Sequence, residues 1–208
     1  MSARICVIDY GMGNLRSVEK AFEHVGATAT IANDAATVRA ADGLVLPGVG
    51  AFPRAMERIG QLGIDELIAE QRDAGVPILG ICLGLQLLFD SSTELGGAEG
   101  LGLLPGGVTE LQADGLKIPH IGWAPLRWER ESRLAEGIPT ETPFYFVHSF
   151  APSPEPGELL GSAEYGSRFA CAAERDNVFG VQFHPEKSSA AGLRLLANFA
   201  GVCVSVPA

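Results

Sequence analysis

A chain of 208 residues, 47 % of them apolar, is long enough to bury a continuous core and too apolar to be disordered throughout. Fifteen Lys and Arg against 25 Asp and Glu give a net charge of −10, which argues against nucleic-acid binding because no basic stripe is present to neutralise phosphates. No apolar run reaches membrane-span length, no signal peptide precedes the first strand pattern, and the 4 cysteines form no C-x-x-C pair. The expectation is one domain over residues 1–208, in the reducing cytoplasm, with no membrane partner, no disulfide framework, no metal site and no cofactor.

Residues 4–9 read as a first buried strand, followed by the loop Tyr10-Gly11-Met12-Gly13-Asn14. Leu15, Val18, Phe22 and Val25 then recur at helical spacing, and Gly26 suits the helix C-terminus. Gly11 and Gly13 match part of a dinucleotide fingerprint, but the third glycine and the acidic residue after a second strand are missing. The loop is better read as one that meets a ligand or partner at the C-terminal edge of an open α/β sheet. Residues 27–31 form a second strand, and Asn33 or Asp34 caps a short helix running to Ala41. A third strand at 43–46 ends in Pro47-Gly48-Val49-Gly50-Ala51-Phe52. Glycines on both sides of Val49 let a peptide unit turn its N–H toward a neighbouring site, so Gly48, Val49 and Gly50 are either an oxyanion-binding loop or an ordinary strand-to-helix turn. Met56, Ile59, Leu67 and Ile68 belong to covering helices.

Residues 76–81, introduced by Gly75 and broken by Pro77, suit a strand buried in a parallel sheet. Leu83, Leu85, Leu87, Leu88 and Phe89, with Gln86 among them, read as a mostly buried helix. Between the two lies Gly80-Ile81-Cys82-Leu83-Gly84, which has the form of a nucleophile elbow with Cys where Ser is usual. Such a turn is too tight for side chains at its flanks and holds its central residue strained at the sheet's tip, where the positive end of the next helix favours a thiolate. The bland alternative is a buried structural cysteine.

Beyond Asp90 the strand–helix alternation stops. Residues 91–107 read as loop, and 108–111, 118–123, 126–128 and 144–148 as short strands of an antiparallel excursion. The Pro-rich stretch 151–157 reads as a stiff surface turn. A strand at 178–183 delivers His184-Pro185-Glu186. Residues two apart in an extended chain project to one side, so His184 can serve Cys82 as general base while Glu186 fixes the ring's tautomer and stabilises the imidazolium. His120 and His148, each flanked by apolar residues, lack such an acid and read as structural or interfacial. Leu193, Leu196, Ala197, Ala200 and Cys203 share one face of a closing helix.

Gly80-Ile81-Cys82-Leu83-Gly84-Leu85-Gln86 together with Gln182-Phe183-His184-Pro185-Glu186 resembles the class I glutamine amidotransferase family. Ile118-Pro119-His120-Ile121-Gly122-Trp123, Tyr145-Phe146-Val147-His148-Ser149 and the ending Glu186-Lys187-Ser188 narrow the resemblance to the glutaminase subunits of imidazole glycerol phosphate synthases, over nearly the whole chain. That resemblance implies a flavodoxin-like three-layer α/β sandwich, its central sheet mostly parallel with an added antiparallel portion. It implies that Cys82, His184 and Glu186 hydrolyse L-glutamine through a thioester, with the N–H of Leu83 and one from Gly48-Val49-Gly50 holding the oxyanion. Gln86 and the backbone of Ser149 and Phe150 would grip the substrate. The ammonia would pass to a (β/α)8 cyclase subunit that forms imidazole glycerol phosphate and AICAR in histidine biosynthesis, docked near Asn14, Trp123, Tyr145 and Lys187. Ala124 departs from the family's usual Asn after Ile-Gly-Trp, so a side-chain hydrogen bond near the docking surface is expected to be missing. Wasteful hydrolysis without an acceptor further suggests an oxyanion loop that reaches its productive form only with the partner. Rival readings keep the reaction but change the partner to another synthase, make the chain a free-standing γ-glutamyl hydrolase, or make it a silent scaffold.

Overall fold

Apolar runs without alternation, at residues 5–8, 44–46 and 78–81, become strands covered on both faces, as a parallel sheet requires. The computed structural model describes residues 2–204. In chain order its first half comprises β1 (Arg4–Ile8), α1 (Leu15–His24), β2 (Thr28–Ala32), α2 (Ala35–Arg39), β3 (Gly43–Gly48), α3 (Phe52–Leu62), α4 (Ile64–Asp73), β4 (Ile78–Cys82) and α5 (Leu83–Leu87). The second half comprises β5 (Phe89–Ser92), β6 (Ala98–Glu99), β7 (Leu104–Glu110), β8 (His120–Trp128), β9 (Thr142–His148), β10 (Phe150–Pro154), β11 (Leu159–Tyr165), β12 (Ser167–Arg175), β13 (Val178–Val181) and α6 (Ser189–Cys203). Among the described residues no helix is long and apolar enough to cross a membrane.

The main sheet runs β2-β1-β3-β4-β13-β12-β11-β8-β9. Its first five strands are parallel, and the remainder is antiparallel. One layer of core lies under α1 and α6, where Phe22 meets Phe199 edge-on at 6.2 Å and Phe179 meets it at 6.1 Å. The other lies under α2, α3, α4 and α5. Asp34 caps α2 by accepting from the Thr37 N–H.

Several elements differ from the sequence expectation. The helix behind Cys82 stops at Leu87, and Phe89 opens β5 instead of continuing it. Residues 91–107 are not plain loop, for β5, β6 and the start of β7 lie there in a second sheet ordered β10-β7-β5-β6. The stretch expected as a proline turn holds all of β10 but its first residue, tolerated because β10 is that sheet's edge and Pro need not donate outward. The two strands expected at 118–128 are one continuous β8, and β11 and β12 carried no sequence expectation.

What positions the site is the approach of α5 to the strands beneath it. A Cβ at Gly80 would lie 2.7 Å from the Gly84 and Leu85 backbone, one at Gly84 would overlap the Leu46 carbonyl oxygen, and one at Gly180 would overlap Leu85. Here the glycines serve contact distance, while the left-handed backbone angle falls on Cys82 itself, at φ 56°. Gly84→Ala is therefore expected to cost about 2 kcal/mol or more in urea unfolding. An unchanged midpoint would mean that α5 does not sit this close to β3.

Candidate active site

Cys82 ends β4 at φ 56°, ψ −110°, a conformation that a non-glycine residue keeps only when its surroundings enforce it. Parallel pairing sets Cys82 opposite Gly48, and the sulfur looks into a cavity of about 300 Å³. His184, Gln86, Leu83, Val49, Gly50, Ser149, Phe150 and Lys187 line the same cavity. Gly48 does not. It sits behind Val49, where a Cβ would overlap the Tyr10 hydroxyl, and that hydroxyl donates to the Pro47 carbonyl at 2.8 Å. Because α5 is only five residues long, the field at the sulfur falls to individual groups more than to a helix dipole.

Those groups are specific. The Cys82 thiol is 3.7 Å from the Val147 carbonyl, and the Gln182 side-chain amide donates toward the sulfur at 3.7 Å. His184 lines the cavity beside Cys82 and gives its Nδ1–H to Glu186 Oε1 at 2.9 Å, leaving Nε2 as the ring nitrogen not engaged by the carboxylate. His184 and Glu186 share a side not because the strand continues but because a single 3-10 turn, Pro185–Lys187, follows it. The turn is tied down. His184 N–H donates to the Tyr145 carbonyl at 2.9 Å, while the Ser188 hydroxyl donates to the His184 carbonyl at 2.7 Å and accepts from the Tyr145 N–H at 3.0 Å. Burial works to lower the His184 pKa, but its contacts with Cys82 and Glu186 outweigh it and raise it to about 9.

Around this centre, Gln86 Nε2 donates both to the Phe150 carbonyl and to Gln182 Oε1, each at 3.0 Å. His148 gives its Nδ1–H to the same Phe150 carbonyl at 2.8 Å and receives a hydrogen bond from His120 Nδ1 at 3.2 Å. Burial pushes the His148 pKa down to about 4, so the ring is a neutral brace. Sequence reasoning missed Gln182, Glu94 and Tyr10 as site residues. Gln182 stood inside the motif without a visible partner, and Glu94 lay in a glycine-rich stretch with no periodic signal. In the structure Glu94 lines the cavity and caps the α3 N-terminus by accepting from the Phe52 N–H at 2.8 Å.

Trp123 and Tyr145 stand off the cavity, opposite each other on β8 and β9 with rings 5.8 Å apart. With Ile121, 61 % exposed, and Trp123, 51 % exposed, they make an uncovered apolar ridge. Asn14 precedes α1 and makes no side-chain cap bond. Ala124 turns away from that ridge into the core, so its missing amide is absent from the interior face of β8.

The sequence pattern of glutamine amidotransferase class-I matches residues 6–202. Imidazole glycerol phosphate synthase subunit HisH of Moorella thermoacetica is 52 % identical over 196 residues, covering 94 % of this chain and 93 % of that protein. The HisH subunit of Bacillus cereus (strain G9842) is 46 % identical over 198 residues, covering 95 % and 94 %. The chain belongs to the HisH branch of the class I glutamine amidotransferases. Its fold is shared more widely. The structure of PurLQS from Thermotoga maritima superposes with a TM-score of 0.75 at 21 % identity, over 97 % of this chain and 99 % of that one.

For this amidotransferase, an NMR titration of the histidine rings should give His184 an apparent pKa of about 9, falling toward the ordinary 6.5 in Glu186→Gln and Cys82→Ala. A folded value above the unfolded one means the stabilisation is complete below pH 6.5 and lost as pH rises to about 9. Wild-type stability should therefore decline over that window more steeply than that of Glu186→Gln. A His184 titration at 6.5 in all three proteins would contradict the pairing.

Proposed function

We propose that Cys82, His184 and Glu186 are the catalytic residues that hydrolyse the side-chain amide of L-glutamine in this cavity. As a member of the HisH branch, the chain is the glutaminase subunit of an imidazole glycerol phosphate synthase. The observation that carries the residue assignment is a cavity lined by the Cys82 thiol and the His184 imidazole, with the buried Glu186 carboxylate holding that ring from behind at 2.9 Å.

His184 Nε2 takes the Cys82 proton, and the sulfur attacks the amide carbon. The carbonyl oxygen becomes an oxyanion held by the N–H of Leu83 and one from residues 49–50. As the C–N bond breaks, His184 returns the proton to nitrogen and ammonia leaves. His184 then deprotonates a water, which opens the γ-glutamyl thioester to glutamate and regenerates the thiol. Gln86 and the backbone of Ser149 and Phe150 grip the substrate. Glu94 has one oxygen occupied by the Phe52 N–H and the other available for an ammonium group.

Ammonia is protonated in water near neutrality, so delivery calls for a sealed route into the cyclase subunit of the synthase. We assign that partner a (β/α)8 fold and dock it on the ridge of Ile121, Trp123 and Tyr145 with Asn14 and Lys187 beside it. Its workplace is the cytoplasm, where Cys82 stays reduced. The Tyr10–Pro47 hydrogen bond anchors the end of β3, so the segment free to reorient is Val49-Gly50, and Gly50 at φ 108° tolerates peptide flips that other residues resist. The cyclase subunit and the ribonucleotide it takes as substrate together select the productive orientation.

Cys82→Ala in the assembled synthase should abolish glutamine-dependent product formation and leave ammonia-dependent formation near wild type. Loss of both, with the complex intact, would remove Cys82 from the role. Glutaminase turnover should rise about a hundredfold or more when cyclase and its nucleotide are added, the usual scale for gaining an oxyanion donor. Equal turnover with and without them would overturn the gating.

A further inference from the structure

The hydrogen-bond bookkeeping around Gln182 fixes which way its amide points. Gln86 uses both N–H bonds of its Nε2, one on the Phe150 carbonyl and one on Gln182 Oε1. A carbonyl oxygen only accepts, so Gln182 Oε1 is committed to Gln86 and its Nε2 is the end presented to the Cys82 sulfur, 3.7 Å away. The side chain is completely buried, which leaves water no access to compete for either end. Phe150 O in turn accepts from His148 as well as Gln86, so the amide of Gln86 cannot flip without losing a bond at each end.

The sulfur thus has two neighbours of opposite preference. The Val147 carbonyl, also 3.7 Å away, accepts a proton and favours the thiol, whereas an N–H donor favours the thiolate. We propose that Gln182 is a catalytic residue of the glutaminase reaction: its orientation-locked amide donates to the Cys82 thiolate once His184 has taken the proton, holding the nucleophile ready for attack. The proposal rests on Cys82 being the nucleophile. No proton is transferred by Gln182. The N–H bond stays whole, and the charge it stabilises is the electron pair that attacks the amide carbon.

Other ionisable groups facing the sulfur are accounted for. His184, backed by Glu186, approaches from the end of β13. Tyr10 comes from the loop after β1, where burial keeps its hydroxyl protonated. His148, at the end of β9, is neutral. Glu94 and Lys187 line the cavity. None of these hydrogen-bonds the Gln182 side chain, whose partners are Gln86 and Cys82. The remaining thiols are separable as well, for Cys6, Cys171 and Cys203 are buried and burial raises the pKa of each.

The test is the rate of iodoacetamide labelling of Cys82 in the full-length chain as a function of pH, with the labelled site read by mass spectrometry. Gln182→Met keeps the length and removes the donor. Its Cys82 labelling rate near neutral pH is expected to fall about tenfold, and glutamine kcat in the complex to fall by a similar factor with KM nearly unchanged. A purely architectural role, acting through Gln86 on the substrate-gripping wall, would instead raise KM and leave the labelling profile in place. Should Gln182→Met fail to fold, the wild-type Gln182 side-chain amide resonance answers the same question. It should move with the ionisation that governs labelling, and that step should vanish in Cys82→Ala. Superimposable labelling profiles, or an amide resonance indifferent to Cys82, would overturn the proposal. A wild-type Cys82 that resists labelling while other cysteines react would instead take down the nucleophile assignment beneath it.

Discussion

The position of one sulfur depends on how closely a five-residue helix can settle on three strands. Side chains at Gly80, Gly84 or Gly180 would each push α5 off β3, β4 or β13, and Cys82 sits at the hinge of that stack. Packing at this density leaves no slack for the backbone to relax its left-handed angle, so the cost of the strained residue, about 1–3 kcal/mol, is carried by the burial around it. The site is rigid at the nucleophile because the core beneath it is rigid.

Electrostatics then acts on a fixed geometry. Burial alone would make His184 a weaker base, and the carboxylate at 2.9 Å reverses that outcome together with the sulfur. Glu186 Oε2 is buried and has no hydrogen-bond partner among the described residues. An unsatisfied carboxylate oxygen is expensive in an apolar setting, and the neighbouring imidazolium is the charge that offsets it. The same burial leaves His148 neutral, since it has a carbonyl and another imidazole beside it and no carboxylate. Two buried histidines of one cavity are thus driven apart in basicity by what each one touches.

Much of this could be read from the chain because the signals were local. Gly80 and Gly84 bracket Cys82 within five residues, and His184 and Glu186 are two apart, so spacing alone announced both halves of the constellation. The parallel strands announced themselves through unbroken apolar runs. What escaped reading depended on distant partners. β10 holds Pro152 and Pro154, which argue for a turn until the strand is known to be an edge. The leucine run after Cys82 looked like a long helix, yet Phe89 pairs with Leu104 in the second sheet, a register no local pattern encodes. Gln182 and Glu94 are polar residues whose meaning comes wholly from contacts across 96 and 42 positions of sequence.

The antiparallel addition to the sheet has a use beyond extending it. Along β9 the side chains alternate, with Phe144, Phe146 and His148 buried and Tyr145 turned toward Trp123 on the uncovered ridge. The backbone of the same strand reaches the chemistry directly. Tyr145 accepts from His184 N–H and donates to Ser188, and the Val147 carbonyl lies against the Cys82 sulfur. A surface pressing on the Trp123–Tyr145 ridge therefore bears on a strand that touches both members of the nucleophile–base pair, with no intervening loop to absorb the motion. The parallel half of the sheet holds the nucleophile still, and the antiparallel half brings the outer surface within one hydrogen bond of it.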